Sequence, residues 1–141
     1  MDLSLARDFA IALFIGALVG IEREKRKTSA DPVAIGGIRT FILFAEAGAV
    51  SAWLSVQLAS PWIFVASVVA IAGVVVAGYL ANARVRPDSL GVTTEAAAIA
   101  VCLLGGATMF GYPEAAVGLA IVTSSVAPVC WDCSGPSGTA A

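Results

Sequence analysis

The sequence contains no histidine, which removes the commonest general base and the commonest transition-metal ligand. It is also poor in charge: 13% of 141 residues are Asp, Glu, Lys or Arg, about half the share of a soluble domain. With 59% hydrophobic residues and a mean hydropathy of +0.92, a chain of this length has too little polar surface to cover itself in water. The basic residues do not outnumber the acidic ones, so a nucleic-acid-binding surface is excluded. Three cysteines give no disulfide framework, and Cys130-x-x-Cys133 has neither a redox fold around it nor a second pair for zinc. No nucleophile–base pair and no phosphate-binding loop is visible, so an enzyme is not expected.

What the chain has instead is a series of apolar runs. The first extends from Leu3 to Ile21 and carries Arg7 and Asp8 near its start. Its amino-terminal flank is acidic rather than basic, so it reads as a retained helix and not as a cleaved signal. The polar stretch Glu22 to Asp31 follows, closed by Pro32 and Gly36-Gly37. The second run, Ile38 to Ala59, has Arg39 at its mouth and Glu46 inside it. Ser60-Pro61 breaks it from a third, uncharged, valine-rich run, Trp62 to Ala83, which reads as a lipid-facing helix. After the loop Arg84 to Thr93 come Thr94 to Phe110, the turn Gly111-Tyr112-Pro113, and a marginally short run from Glu114 to about Val126. A span needs roughly 20 residues. The expected fold is therefore all-α: a polytopic transmembrane bundle of about five spans over residues 1–127, with a disordered tail over residues 128–141.

Orientation follows from Lys and Arg. They flank the first and third connections (Arg23, Lys25, Arg26, Lys27 and Arg39; Arg84 and Arg86) and are missing from the second and fourth. Short basic loops stay in the cytoplasm, which puts the amino terminus outside with Arg7 as the one dissenting charge. Trp53, Trp62 and Tyr112 then read as anchors at the outer interface, and Cys102 as a small core residue.

Several residues invite closer reading. Gly16 and Gly20 form a small-residue face that suits close helix packing, either inside the bundle or against a second copy. Glu22, Arg23, Arg39 and Arg84 would form a charge cluster at the cytoplasmic mouth, with Arg23 complementing its helix dipole. Arg39 opposes the dipole of its own helix by about 0.3–1 kcal/mol, so an acidic partner, Glu22 or Glu95, or a lipid phosphate is expected beside it. Glu46 lies well inside the hydrocarbon, where a charge costs on the order of 2.5–3.5 kcal/mol. It is expected to face the bundle, pair, or be neutral, either as a structural acid or as an ion or proton site. Glu95, after Thr93 and Thr94, reads as an acid on a threonine-capped helix start. Asp8 would pair with Arg7 or face Glu46; together, Asp8 and Glu46 offer two hard oxygen ligands of the kind Mg²⁺ takes, a thin basis for a metal cage.

Three stretches occur in order, each at a cytoplasmic helix end: Gly16-Ala-Leu-Val-Gly20-Ile-Glu22-Arg23-Glu24, Gly37-Ile38-Arg39-Thr40, and Gly91-Val92-Thr93-Thr94. In combination they resemble the amino-terminal membrane domain of the MgtC/SapB family, over about Leu5 to Val126. The resemblance implies a multi-pass protein of the bacterial inner membrane, in a family linked to magnesium homeostasis and, in pathogens, to virulence. It implies one of two roles: Mg²⁺ transport, with Glu46, Asp8 and Glu95 as the ion or proton path, or regulation of a partner membrane protein through helix faces. No resident cofactor is implied, only Mg²⁺ in passing; the partners implied are lipid and either a homo-oligomer or another membrane protein. The chain departs from the family in Glu46 and Glu95, which stand where many relatives carry small or apolar residues. It also lacks the soluble carboxy-terminal domain of many members, and its tail from Pro128 onward reads as an altered end.

Overall fold

The computed structural model describes residues 3–27, 37–85 and 92–129, and these form five α-helices. They are α1 (Leu3–Lys27), α2 (Ile38–Gln57), α3 (Trp62–Val85), α4 (Val92–Met109) and α5 (Pro113–Val129). Three contain stretches long and apolar enough to cross a membrane: Leu3–Lys25, Ile38–Gln57 and Trp62–Ala81. The apolar parts of α4 and α5, Glu95–Met109 and Pro113–Ser124, are shorter.

Some boundaries differ from expectation. The run Glu22–Lys27 is helical and ends α1 rather than opening a loop. α4 starts at Val92, so Thr93 and Thr94 lie inside its first turn and not at its cap. α5 continues past Val126 to Val129, with Pro128 in its last turn. Residues 130–141, with Cys130 and Cys133, lie outside the described residues.

α4 is the hub of the bundle. It packs against all four other helices, while α3, α2, α1 and α5 pack in that order as an arc around it. α2 and α4 run parallel: Phe110 at the end of α4 meets Phe64 at the start of α3, edge to face with ring centroids 5.2 Å apart. The bundle thus has a charged end, where α1 finishes and α2 and α4 begin, and a far end.

The helices meet through small residues. A Cβ on Gly48 of α2 would collide with the carbonyl oxygen of Cys102 on α4, and one on Gly105 with the carbonyl oxygen of Ala45. Gly16 and Gly20 bring α1 against α2 in the same manner, their notional Cβ atoms each 2.8 Å from a backbone Cα, of Ile42 and Ile38 respectively. These two glycines therefore pack inside the chain. Gly106 leaves room for the Phe64 ring. The core is accordingly rich in alanine (Ala12, Ala45, Ala49, Ala52, Ala98, Ala120), with Phe41 its largest fully buried side chain. Cys102 is buried among them. Large side chains point outward instead, Leu43, Val69 and Val74 among them, and no residue of Trp62–Ala81 is buried. That inversion suits lipid, which solvates aliphatic side chains and leaves close packing of small residues to hold helices together.

Both far-end turns use one device. The Ser60 N–H donates to the Ser55 carbonyl at 3.0 Å, and the Tyr112 N–H to that of Ala107 at 3.1 Å. Ala59 (φ 47°) and Gly111 (φ 87°) take the left-handed position before them, as a helix end of this type requires. The Ser55 hydroxyl donates to the Ser60 carbonyl at 2.8 Å and locks the first of these turns. Trp62 and Tyr112 stand exposed beside the two turns.

The glycines separate into two groups that mutation will distinguish. Gly48→Ala and Gly105→Ala force α2 and α4 apart and should each cost about 1–3 kcal/mol, read by unfolding of the purified protein in mixed micelles. Gly73→Ala and Gly78→Ala, where a Cβ meets open space, should be neutral or stabilise by about 0.5–1 kcal/mol through helix propensity alone.

Candidate functional site

The ionisable groups fall at three levels. The charged end holds Glu22, Arg23, Glu24, Arg39 and Glu95. α2 begins at Gly37, extended at φ −86° and ψ 178°, which has no side chain with which to cap the helix. The missing acceptor comes from α1: Glu24 Oε2 accepts a hydrogen bond from the Ile38 N–H at 3.1 Å. An acid at the end of α1 is unfavourable for that helix's own dipole and favourable for the first turn of α2, and this bond places it on the favourable side. The charged run stays helical and so carries Glu24 to the start of α2, where it bonds the Ile38 N–H; among the described residues no ion pair joins Arg39 to Glu22, Glu24 or Glu95.

Arg39 is exposed, and among the described residues no ion pair joins it to Glu95 or Glu46. Glu22 and Arg23 are half-buried and both engaged. Glu95 sits in the first turn of α4, where the acid suits the dipole. Its Oε2 atom is buried without a hydrogen-bond partner among the described residues. Gly37 and Thr40 sit at the start of α2, and Thr40 donates its backbone N–H to the Gly37 carbonyl at 2.9 Å. Gly91 and the side chains of Arg84, Thr93 and Thr94 lie outside the described residues.

Midway along α2 stands Glu46, half-buried, with no hydrogen bond or ion pair among the described residues. Toward the far end, Asp8 is held by its neighbour: Arg7 Nη2 and Nε lie 2.9 Å and 3.0 Å from Oδ1. Asp8 is thereby committed to Arg7 rather than to Glu46. No group of three or more His, Cys, Asp or Glu side chains that could hold a metal occurs among the described residues. The carboxyls proposed from sequence as one path therefore occupy three separate levels.

Sequence reasoning missed Glu24 as a cap, though a signal was present: α2 opens on Gly37-Ile38-Arg39, with no capping side chain of its own and a base in its first turn. The expected outcome of Glu24→Ala is a loss of about 1 kcal/mol with fraying of α2, seen as faster amide exchange at Ile38 to Phe41. Glu24→Gln, which keeps an acceptor oxygen, should lose less.

No curated protein and no solved structure matches the chain. The MgtC family matches it over residues 9–130, from the first turns of α1 to the end of α5. That match takes in most of α1, the other four helices, the Glu24–Ile38 junction, Glu46 and Glu95; Asp8 lies just before it. The chain belongs to the MgtC family.

Proposed function

We propose that this chain serves magnesium homeostasis as a five-span protein of the bacterial inner membrane, amino terminus outside, that acts on a partner membrane protein through its helix faces. Family membership supports the link to magnesium. The basic flanks of the first and third connections support the orientation. At about 1.5 Å per residue, the 18 and 17 residues of α4 and α5 reach most of the way across a hydrocarbon core of about 30 Å.

One observation carries the choice of mechanism: the centre of the bundle is closed. α2 and α4 touch backbone to backbone at Gly48 and Gly105, with Cys102 and Thr108 fully buried beside them. The Thr108 hydroxyl donates to the Gly105 carbonyl at 2.7 Å and leaves its donor spent within its own helix. A conducting route needs polar groups along the middle of the bundle, and the α2–α4 crossing puts the backbone of Gly48, Gly105 and Ala45 there instead.

Transport is the second reading, favoured by Glu95, whose buried and unpartnered oxygen at the charged end is where an arriving cation or proton would be met. Liposomes holding the purified chain and a Mg²⁺ indicator separate the two readings. The regulator predicts no flux above protein-free vesicles, together with rescue of growth at low Mg²⁺ by the same chain in a strain lacking it. Flux that falls several-fold in Glu95→Gln or Glu46→Gln would replace the regulator with a transporter.

A further inference from the structure

We infer that the outward face of α2 is the contact surface for a second copy of this chain, with the two Glu46 carboxyls hydrogen-bonded to each other across a two-fold axis. The inference stands apart from the choice between regulator and transporter, since either can be a dimer.

The starting point is a contrast among polar side chains within the helices. Ser51 donates to the Gly48 carbonyl at 3.0 Å, Thr108 to that of Gly105 at 2.7 Å, Thr123 to that of Leu119 at 2.7 Å and Ser124 to that of Ala120 at 2.9 Å. Each is satisfied within its own helix. Glu46 is not: among the described residues it makes no hydrogen bond or ion pair, and no Lys or Arg occurs in the sequence between Arg39 and Arg84. Its place on the helix forbids escape to water. Glu46 is eight residues from Ile38 and eleven from Gln57, hence about 12 Å and about 16 Å from the two ends of α2. A glutamate stem does not reach that far.

The face around Glu46 has a regular seam. Arg39, Leu43, Glu46, Val50, Trp53 and Gln57 follow one another at spacings of four and three, the repeat by which two helices wind together. Leu43 and Val50, directly flanking Glu46, are 67% and 42% exposed. Although α1, α3 and α4 all pack on α2, Arg39, Leu43, Val50 and Gln57 of this strip stay exposed, with Glu46 and Trp53 half-buried between them.

A single polar residue in an otherwise apolar central seam fixes register between parallel helices, because any slip buries it unpaired. Two copies inserted in the same orientation bring seam to seam at equal depth, so Glu46 meets Glu46. A carboxyl group is its own complement, since it donates through O–H and accepts through C=O, and an isologous contact pairs each residue with its counterpart. Arg39, at the charged end, lies at headgroup depth, where crossing helices separate and lipid phosphate is at hand. α3 is equally uncovered, yet it carries no polar group between Ser67 and Tyr79 and is satisfied by lipid alone.

Cysteine cross-linking of the full chain in native membranes tests this, in a background of Cys102→Ala, Cys130→Ser and Cys133→Ser. Leu43→Cys and Val50→Cys should give oxidised dimers of twice the chain mass, while Val69→Cys on α3 and Leu119→Cys on α5 should stay monomeric. In vesicles diluted with lipid, Glu46→Gln should keep the dimer fraction and Glu46→Leu should lower it at least tenfold. The cross-links at positions 43 and 50 decide the matter if Glu46→Leu does not fold. Monomers throughout, cross-links favouring α3 or α5, an adduct of another mass at position 50, or an undiminished dimer in Glu46→Leu would each overturn the inference.

Discussion

The backbone contact between α2 and α4 governs the rest of this bundle. Two helices can approach so closely only where neither carries a Cβ at the crossing, and Gly48 and Gly105 supply that gap reciprocally, each against a carbonyl of the other helix. Once the crossing is fixed, Ala45 and Cys102 are buried beside it. Phe41, one turn toward the charged end, lies with Val19, Ala97, Ala98 and Val101 where the helices have begun to separate. Ile15 and Leu104 gather Ala116 and Ala120 of α5 into a second cluster on the other flank of α4. Water plays no part in driving these contacts, so geometric fit between small residues does the work that burial of bulk does in a soluble core.

Against that tightly fitted interior, the charges sort by how well they are answered. Glu24 ties the end of α1 to the start of α2 across a ten-residue connection, and caps the second helix with a side chain of the first. Arg7 and Asp8 neutralise each other within a single turn of α1. Glu46 makes no hydrogen bond or ion pair among the described residues, and Glu95 Oε2 is buried without a hydrogen-bond partner among them.

Much of the architecture was legible in the run lengths. Five apolar segments separated by Pro, Gly and charge gave five helices, and the uncharged valine-rich segment gave α3, the helix with nothing buried in its span. The errors share a cause. Local composition marks where a helix becomes polar, not where its hydrogen bonds stop. Hence Glu22 to Lys27 continue α1, Val92 to Thr94 open α4 early, and Pro128 is carried in α5. The pairing of acids and bases was read less well, because it depends on helix rotation and on which helices are neighbours. Residues 22 to 24 differ by 100° steps around α1, and only the three-dimensional arrangement selects Glu24 for Ile38. The decisive glycines at 48 and 105 also escaped notice, since nothing in one sequence says that two isolated glycines 57 positions apart will meet.

The hub position of α4 bears on how the protein is made. Translation delivers the helices in order, so α1, α2 and α3 enter the bilayer before the helix they are to surround exists. The α1–α2 hairpin can close at once, through Gly16, Gly20 and the Glu24 cap, but the groove at Ala45 and Gly48 stays open until α4 emerges. α4 and α5 then arrive as a second hairpin, turned at Gly111, that must slot its first helix into a waiting three-helix cradle. A ribosome stalled after α3 would therefore leave in the membrane a half-built bundle with its most adhesive surface unoccupied, the state on which membrane quality control would be expected to act.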